Sequence, residues 1–78
     1  MSKEELRIVI FELAWKNTAI DNLLREQEVS DDNLKHYLAG YNKALVDLYK
    51  KFFDRNRLEF IKDFCEYRKE ARKHVDEL

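Results

Sequence analysis

Two histidines and one cysteine are the side chains of this 78-residue chain best suited to metal or covalent chemistry. His36 follows Asp32 by four residues; His74 follows Glu70 by four and precedes Glu77 by three. On a helix such neighbours share a face and can hold a cation weakly. A built helical metal centre needs Glu-x-x-His pairs or a His-Glu-x-x-His run, and neither occurs. Both histidines are therefore expected to be solvated, salt-bridging surface groups. Cys65 is the only cysteine, so no internal disulfide can form and no zinc site can rest on thiolates. A catalytic thiol needs a positioned base and an oxyanion site. No base is evident beside Cys65, and a helical chain with one glycine and no proline offers few free backbone amides. A half-buried structural thiol is expected. With no convergent acid, base and nucleophile, neither an enzyme nor a cofactor is expected.

Two basic clusters have the composition of a nucleic-acid site, where cations meet phosphates and aromatic rings stack on bases. Lys50, Lys51, Arg55 and Arg57 surround Phe52 and Phe53, and Arg68, Lys69, Arg72 and Lys73 lie near Tyr67. Acids are interleaved with both. Asp47, Lys51 and Arg55, and Glu66, Glu70 and Lys73, read as ladders of helical neighbours. Net charge is −1. Residues 1–30 carry four basic and six acidic groups, and residues 31–78 carry eleven and ten. No global field draws the chain to nucleic acid or to an anionic membrane. Nucleic-acid binding through these strips is the second expectation, and no membrane partner is expected.

The aromatic residues are the stronger lead. Ten of the 78 residues are Phe, Tyr or Trp, too many for a small bundle to bury fully. Tyr, Trp and Arg are the usual hot spots of protein interfaces. Two patches are candidates for partner binding: Ile8, Phe11 and Trp15, and a ridge of Tyr49, Phe53, Phe60 and Tyr67. The ridge could equally be core. The run from Leu6 to Trp15 is apolar on almost every side of a helix. Leu6, Val9, Ile10 and Leu13 make one inward stripe, which leaves Ile8, Phe11 and Trp15 in need of a second partner.

These residues must be positioned by helices. Charged residues are 40% and apolar residues 45% of the chain, interleaved and without proline, which indicates an all-α fold rather than disorder. Ser2 with Glu5 fits a capping box. The helix it opens carries Leu6, Ile10, Leu13, Asn17, Ile20 and Leu24 at spacings of 4, 3, 4, 3 and 4. Asn17, the one polar member, is expected to set register. Residues 28–33 read as a turn, with Ser30 as N-cap and Asp31 and Asp32 at the positive helix end. A second seam follows: Leu34, Leu38, Tyr41, Leu45, Leu48 and Phe52. Gly40 inside it is either a tolerated glycine or a point of close helix approach. Residues 54–57 read as a second turn, with Asn56 and Glu59 resembling a cap. A third helix would carry Ile61, Phe64, Arg68, Ala71, Val75 and Leu78.

Residues 1–78 are thus expected to form a single helical domain, a three-helix antiparallel bundle with helices near 3–27, 31–54 and 57–77. The alternative is a hairpin whose second helix runs unbroken from 31 to 77 and dimerises. Val46, Tyr49, Phe53, Asn56, Phe60, Phe64, Tyr67 and Ala71 keep one heptad phase through the supposed turn. The expected function is a small protein-binding module, a regulator, inhibitor or scaffold, whose partner is another protein and which is expected to self-associate as a homodimer. No signal peptide is expected, because charges precede and interrupt the first apolar run, and that run is too short and too charged to be expected to span a bilayer. With one unpaired cysteine, a reducing, cytoplasmic setting is expected.

Overall fold

The computed structural model describes residues 1–76, with side chains described for residues 1–73. The expected positions His74, Val75, Glu77 and Leu78 lie outside those described side chains. Three helices form: α1 (Lys3–Glu26), α2 (Asp32–Phe53) and α3 (Arg57–Asp76).

Local chemistry sets each boundary. Ser2 Oγ accepts the Glu5 amide at 3.1 Å and donates to Glu5 Oε1 at 3.2 Å, opening α1. At its other end Val29 N–H donates to Leu24 O and Glu28 N–H to Arg25 O, with Glu28 left-handed at φ 56°. This crossed pair of bonds satisfies the terminal carbonyls and stops the helix. The N-cap of α2 is Asp31 and not Ser30: Asp31 Oδ1 accepts the Leu34 amide at 3.1 Å. A carboxylate one residue later serves better there, because it also meets the positive end of the helix.

The second turn decides the topology. Asp54 caps α2 in the left-handed region, at φ 53°. Asn56 Oδ1 then accepts the Glu59 amide at 2.9 Å, while Glu59 Oε1 accepts the Asn56 amide at 3.0 Å. This is a complete capping box. Aspartate and asparagine are the non-glycine residues that best tolerate these conformations. The chain therefore turns, and the unbroken helix from 31 to 77 does not form.

α1 and α2 make an antiparallel hairpin. Phe11 meets Tyr49 near one end, and buried Asn17 donates to the Leu38 carbonyl at 3.2 Å nearer the other. α3 returns over the hairpin. Its Phe60, Phe64 and Tyr67, together with Tyr49, surround Phe11 at ring-centroid distances of 5.2–5.9 Å. Phe11 is 0% exposed. Ile10, Ala14 and Leu45 complete the buried cluster. The Cα envelope measures 37 × 35 × 23 Å. A 24-residue helix spans about 36 Å, so two similar long extents require helices that run in different directions. α3 lies inclined across the hairpin.

This placement corrects the expected stripes. On α1 the buried positions are Ile10, Phe11, Ala14 and Asn17, while Val9 and Ile20 face out. α1 has two neighbours, α2 beside Ile10 and Asn17 and α3 beside Phe11, so its buried arc rotates toward Phe11. On α2 the seam holds at Leu38 and Leu45 but then passes to Tyr49, leaving Leu48 and Phe52 open. On α3, Phe60 takes the inner place and Ile61 stays open. The heptad phase that favoured one long helix is real, yet its residues other than Asn56, which is exposed in the turn, form the inward side of two helices. Gly40 has no atom within 4 Å of a Cβ placed on it, so no helix closes on it.

Gly40→Ala should raise unfolding stability by about 0.5–1 kcal/mol, the helix-interior difference between the two residues. Phe11→Ala should lower it by about 3–5 kcal/mol. Urea unfolding followed by circular dichroism checks both; a neutral Phe11→Ala would mean the ring is not the centre of the core.

Candidate interaction surface

The seven residues expected to bind a partner are brought together, but mostly as core. Phe11, Tyr49 and Phe60 are buried. Phe53 stacks on Tyr49 with centroids 4.8 Å apart, and Trp15 stands edge-on to Tyr67 at 6.3 Å; Phe53, Trp15 and Tyr67 are half-buried. Only Ile8 is exposed. Ile8, Phe11 and Trp15 therefore do not form one open patch. Residue type marked them as sticky; α3 covers the side of α1 on which two of them sit.

The polar ends of the core tyrosines are engaged. Tyr49 Oη donates to Asp63 Oδ2 at 2.7 Å, and Arg55 binds the same carboxylate through Nε at 3.2 Å and a second nitrogen at 3.1 Å. Arg55 also pairs with Glu59 at 2.7 Å. Burial and the bond to Asp63 push the Tyr49 hydroxyl up to about 12. Burial opposes the charge on Asp63, but the bonds from Arg55 and Tyr49 outweigh it and hold the carboxyl below its usual value. Tyr67 donates to Glu12 at 2.6 Å, and that bond, with burial, raises it to about 12. These are ties between helices. They hold α3 on the hairpin.

The basic clusters are likewise partly engaged. Arg55 is committed to two acids. Arg68 lies over the Phe64 ring at 4.8 Å and approaches Cys65 Sγ at 3.8 Å. Lys51 sits over Phe52 at 5.8 Å, and Lys73 meets Glu70 at 3.9 Å. Lys50 and Arg57 line a groove with Val46 and Asn42, and Lys69 and Arg72 line a shallow one on α3. Two separate surfaces result, not one continuous strip. Among the described residues, no group of three His, Cys, Asp or Glu side chains could hold a metal ion, and no helix is long and apolar enough to cross a membrane.

Leu58 and Ile61 on α3 and Leu23 on α1 are open singly, and a broader open apolar surface lies on the side of the hairpin away from α3. At 100° per residue, Val9 and Ile20 stand about 160° and 180° around α1 from Phe11, which faces α3. On α2, Leu48 lies about 100° to one side of Tyr49, while Val46 and Phe53 turn the other way. Val9 is 40%, Ile20 47%, Leu48 40% and Phe52 42% exposed. Between them stand half-buried Leu6, Leu13, Leu24, Leu34 and Tyr41. Together they make an apolar face that spans both helices. Sequence reasoning placed these residues in the inner seams; the heptad marked them, but nothing in it tells the covered side from the open one.

Stability contributed by the Asp63 carboxylate is fully present above its unfolded value of 3.8 and is lost as pH falls through the lower folded value. Asp63→Asn should therefore lower stability near neutral pH and flatten the loss below about pH 4. Urea midpoints measured across that range check it, and an unchanged acid slope would remove the tie.

Comparison with known proteins finds no matching family model, no matching curated protein and no matching solved structure.

Proposed function

We propose that this chain is a small, non-enzymatic protein-binding module of the cytoplasm, working through an apolar helical face as a regulator, inhibitor or scaffold. The observation that carries the proposal is the face opposite α3, with Val9, Ile20, Leu48 and Phe52 each at least two-fifths exposed. Soluble proteins rarely leave contiguous apolar patches of more than a few hundred Å² open to water, and those that do use them for association. A second chain seated there would remove apolar surface from water at about 25 cal/mol per Å².

The polar groups of the molecule support this assignment by what they already do. Asp63, Arg55 and Tyr49 satisfy one another, and Tyr67 and Glu12 do the same. Neither of these two groups is left poised for proton transfer. Nucleic-acid binding has less in its favour, because Arg55 is neutralised by two carboxylates and the remaining cations fall on separate surfaces.

A photo-crosslinking residue placed at Ile20 or Leu48 should give discrete protein adducts in cells expressing the full chain. The same residue at exposed Lys62 on α3 should not. Equal labelling at the three positions would overturn the proposal.

A further inference from the structure

We infer that the occupant of the apolar hairpin face is a second copy of this chain, so that α1 and α2 of two copies form a four-helix bundle with each α3 on the outside. This rests on the protein-binding assignment above and names its partner.

The first observation is the way the two seams are divided. Each repeats at 4-3-4-3-4, the 3.5-residue period of helices that pack along their length. One set of seven-apart positions is buried within the chain: Ile10 and Asn17 on α1, Leu38 and Leu45 on α2. The alternate set is half-buried or exposed: Leu6, Leu13 and Ile20 on α1, and Leu34, Tyr41 and Leu48 on α2; Leu6, Leu13 and Tyr41 pack by one side against the buried cluster and leave the other open. A helix in a lone hairpin uses one side of its stripe. A helix in a four-helix bundle uses both, because it touches two neighbours. Both helices carry the second side, along the same face, and α3 does not reach it. The missing neighbour is therefore itself a pair of helices with this period.

The second observation is that the face complements itself. A two-fold operation pairs one surface with its own copy. Applied to an antiparallel hairpin, it stacks α1 of one copy on α2 of the other with every neighbour antiparallel, the up-down arrangement of such bundles. Charge agrees. Glu5 on the outer flank of α1 and Lys51 on the outer flank of α2 border the same end of the face, near Leu6 and Phe52. The two-fold sets Glu5 of one copy beside Lys51 of the other, so opposite signs meet. Along the middle of the face Val9, Leu13, Ile20 and Leu48 are apolar, and exposed Lys16 stands at its α1 edge.

Size agrees as well. Two helices about 35 Å long and 10 Å wide present a face on the order of 700 Å². A stable interface takes about 800 Å² from each partner, and accessible area exceeds the flat projection. Tyr37, stacked on Tyr41 at 6.4 Å and largely exposed, sits at the rim.

The test is the solution mass of the purified full chain, by light scattering across a tenfold concentration series. A mass of twice 9.5 kDa is expected. Ile20→Lys and Leu48→Lys should each give the 9.5 kDa monomer with helical circular dichroism retained, since both positions face water in the single chain. Ile61→Lys, on α3 and similarly exposed, should leave the dimer intact. A photo-crosslinker at Leu48 in the otherwise unaltered pure protein should give a same-chain adduct, which reports on the interface even if a lysine variant fails to fold. A dimer that survives both lysine variants overturns the inference. So does a monomer throughout the series. If that monomer still yields adducts to a different protein in cells, self-association fails while protein binding stands; without such adducts both fail.

Discussion

The structure depends on the enclosure of Phe11. One residue of α1 touches rings from α2 and from both turns of α3 that face it, and is sealed from water by them. Tilted rings at these distances gain from their quadrupoles as well as from burial. A chain of this size has little other core on which to rely. The direction of α3 follows from the same contact, because Phe60, Phe64 and Tyr67 can all reach Phe11 only if α3 crosses α1 near it.

Polar ties then fix what the aromatic cluster leaves free. Rings pack in several orientations at similar energy, but a hydroxyl buried without a partner is costly. Tyr49 and Tyr67 therefore each point a hydroxyl at a carboxylate on another helix. Arg55, in the turn, binds Asp63 with two nitrogens and so braces the junction between α2 and α3. Asn17 does the corresponding work between α1 and α2, donating to a carbonyl in the middle of its neighbour. Each tie joins residues that hydrophobic packing alone would let slide.

The outcome is an asymmetric molecule. One side of the hairpin holds α3 and the aromatic core; the other is apolar and bare. An isolated pair of helices is marginal, and adding one partner to one side leaves the other unmet. The functional proposals follow from that imbalance, since Tyr49, Asp63 and Tyr67 are bound up in holding the helices together.

Much of this was legible in the residues. Interleaved charge without proline meant helices, and Ser2, Asp54, Asn56 and Glu59 have the chemistry of the boundaries they form. The two heptads identified which residues would be shared between helices. Ile8, Phe11, Trp15 and the ridge from Tyr49 to Tyr67 were selected by type, and type could not say whether a ring lies in the core or on the surface. A periodic pattern fixes angular positions around one helix axis and carries no information about which neighbour stands at each angle. The sequence by itself determined that there are helices, where they end and which arcs are apolar. Only the tertiary structure decided which half of each arc is covered, because that depends on where α3 comes to rest, and α3 is placed by a short turn at 54–56 and by contacts with a residue more than forty positions away.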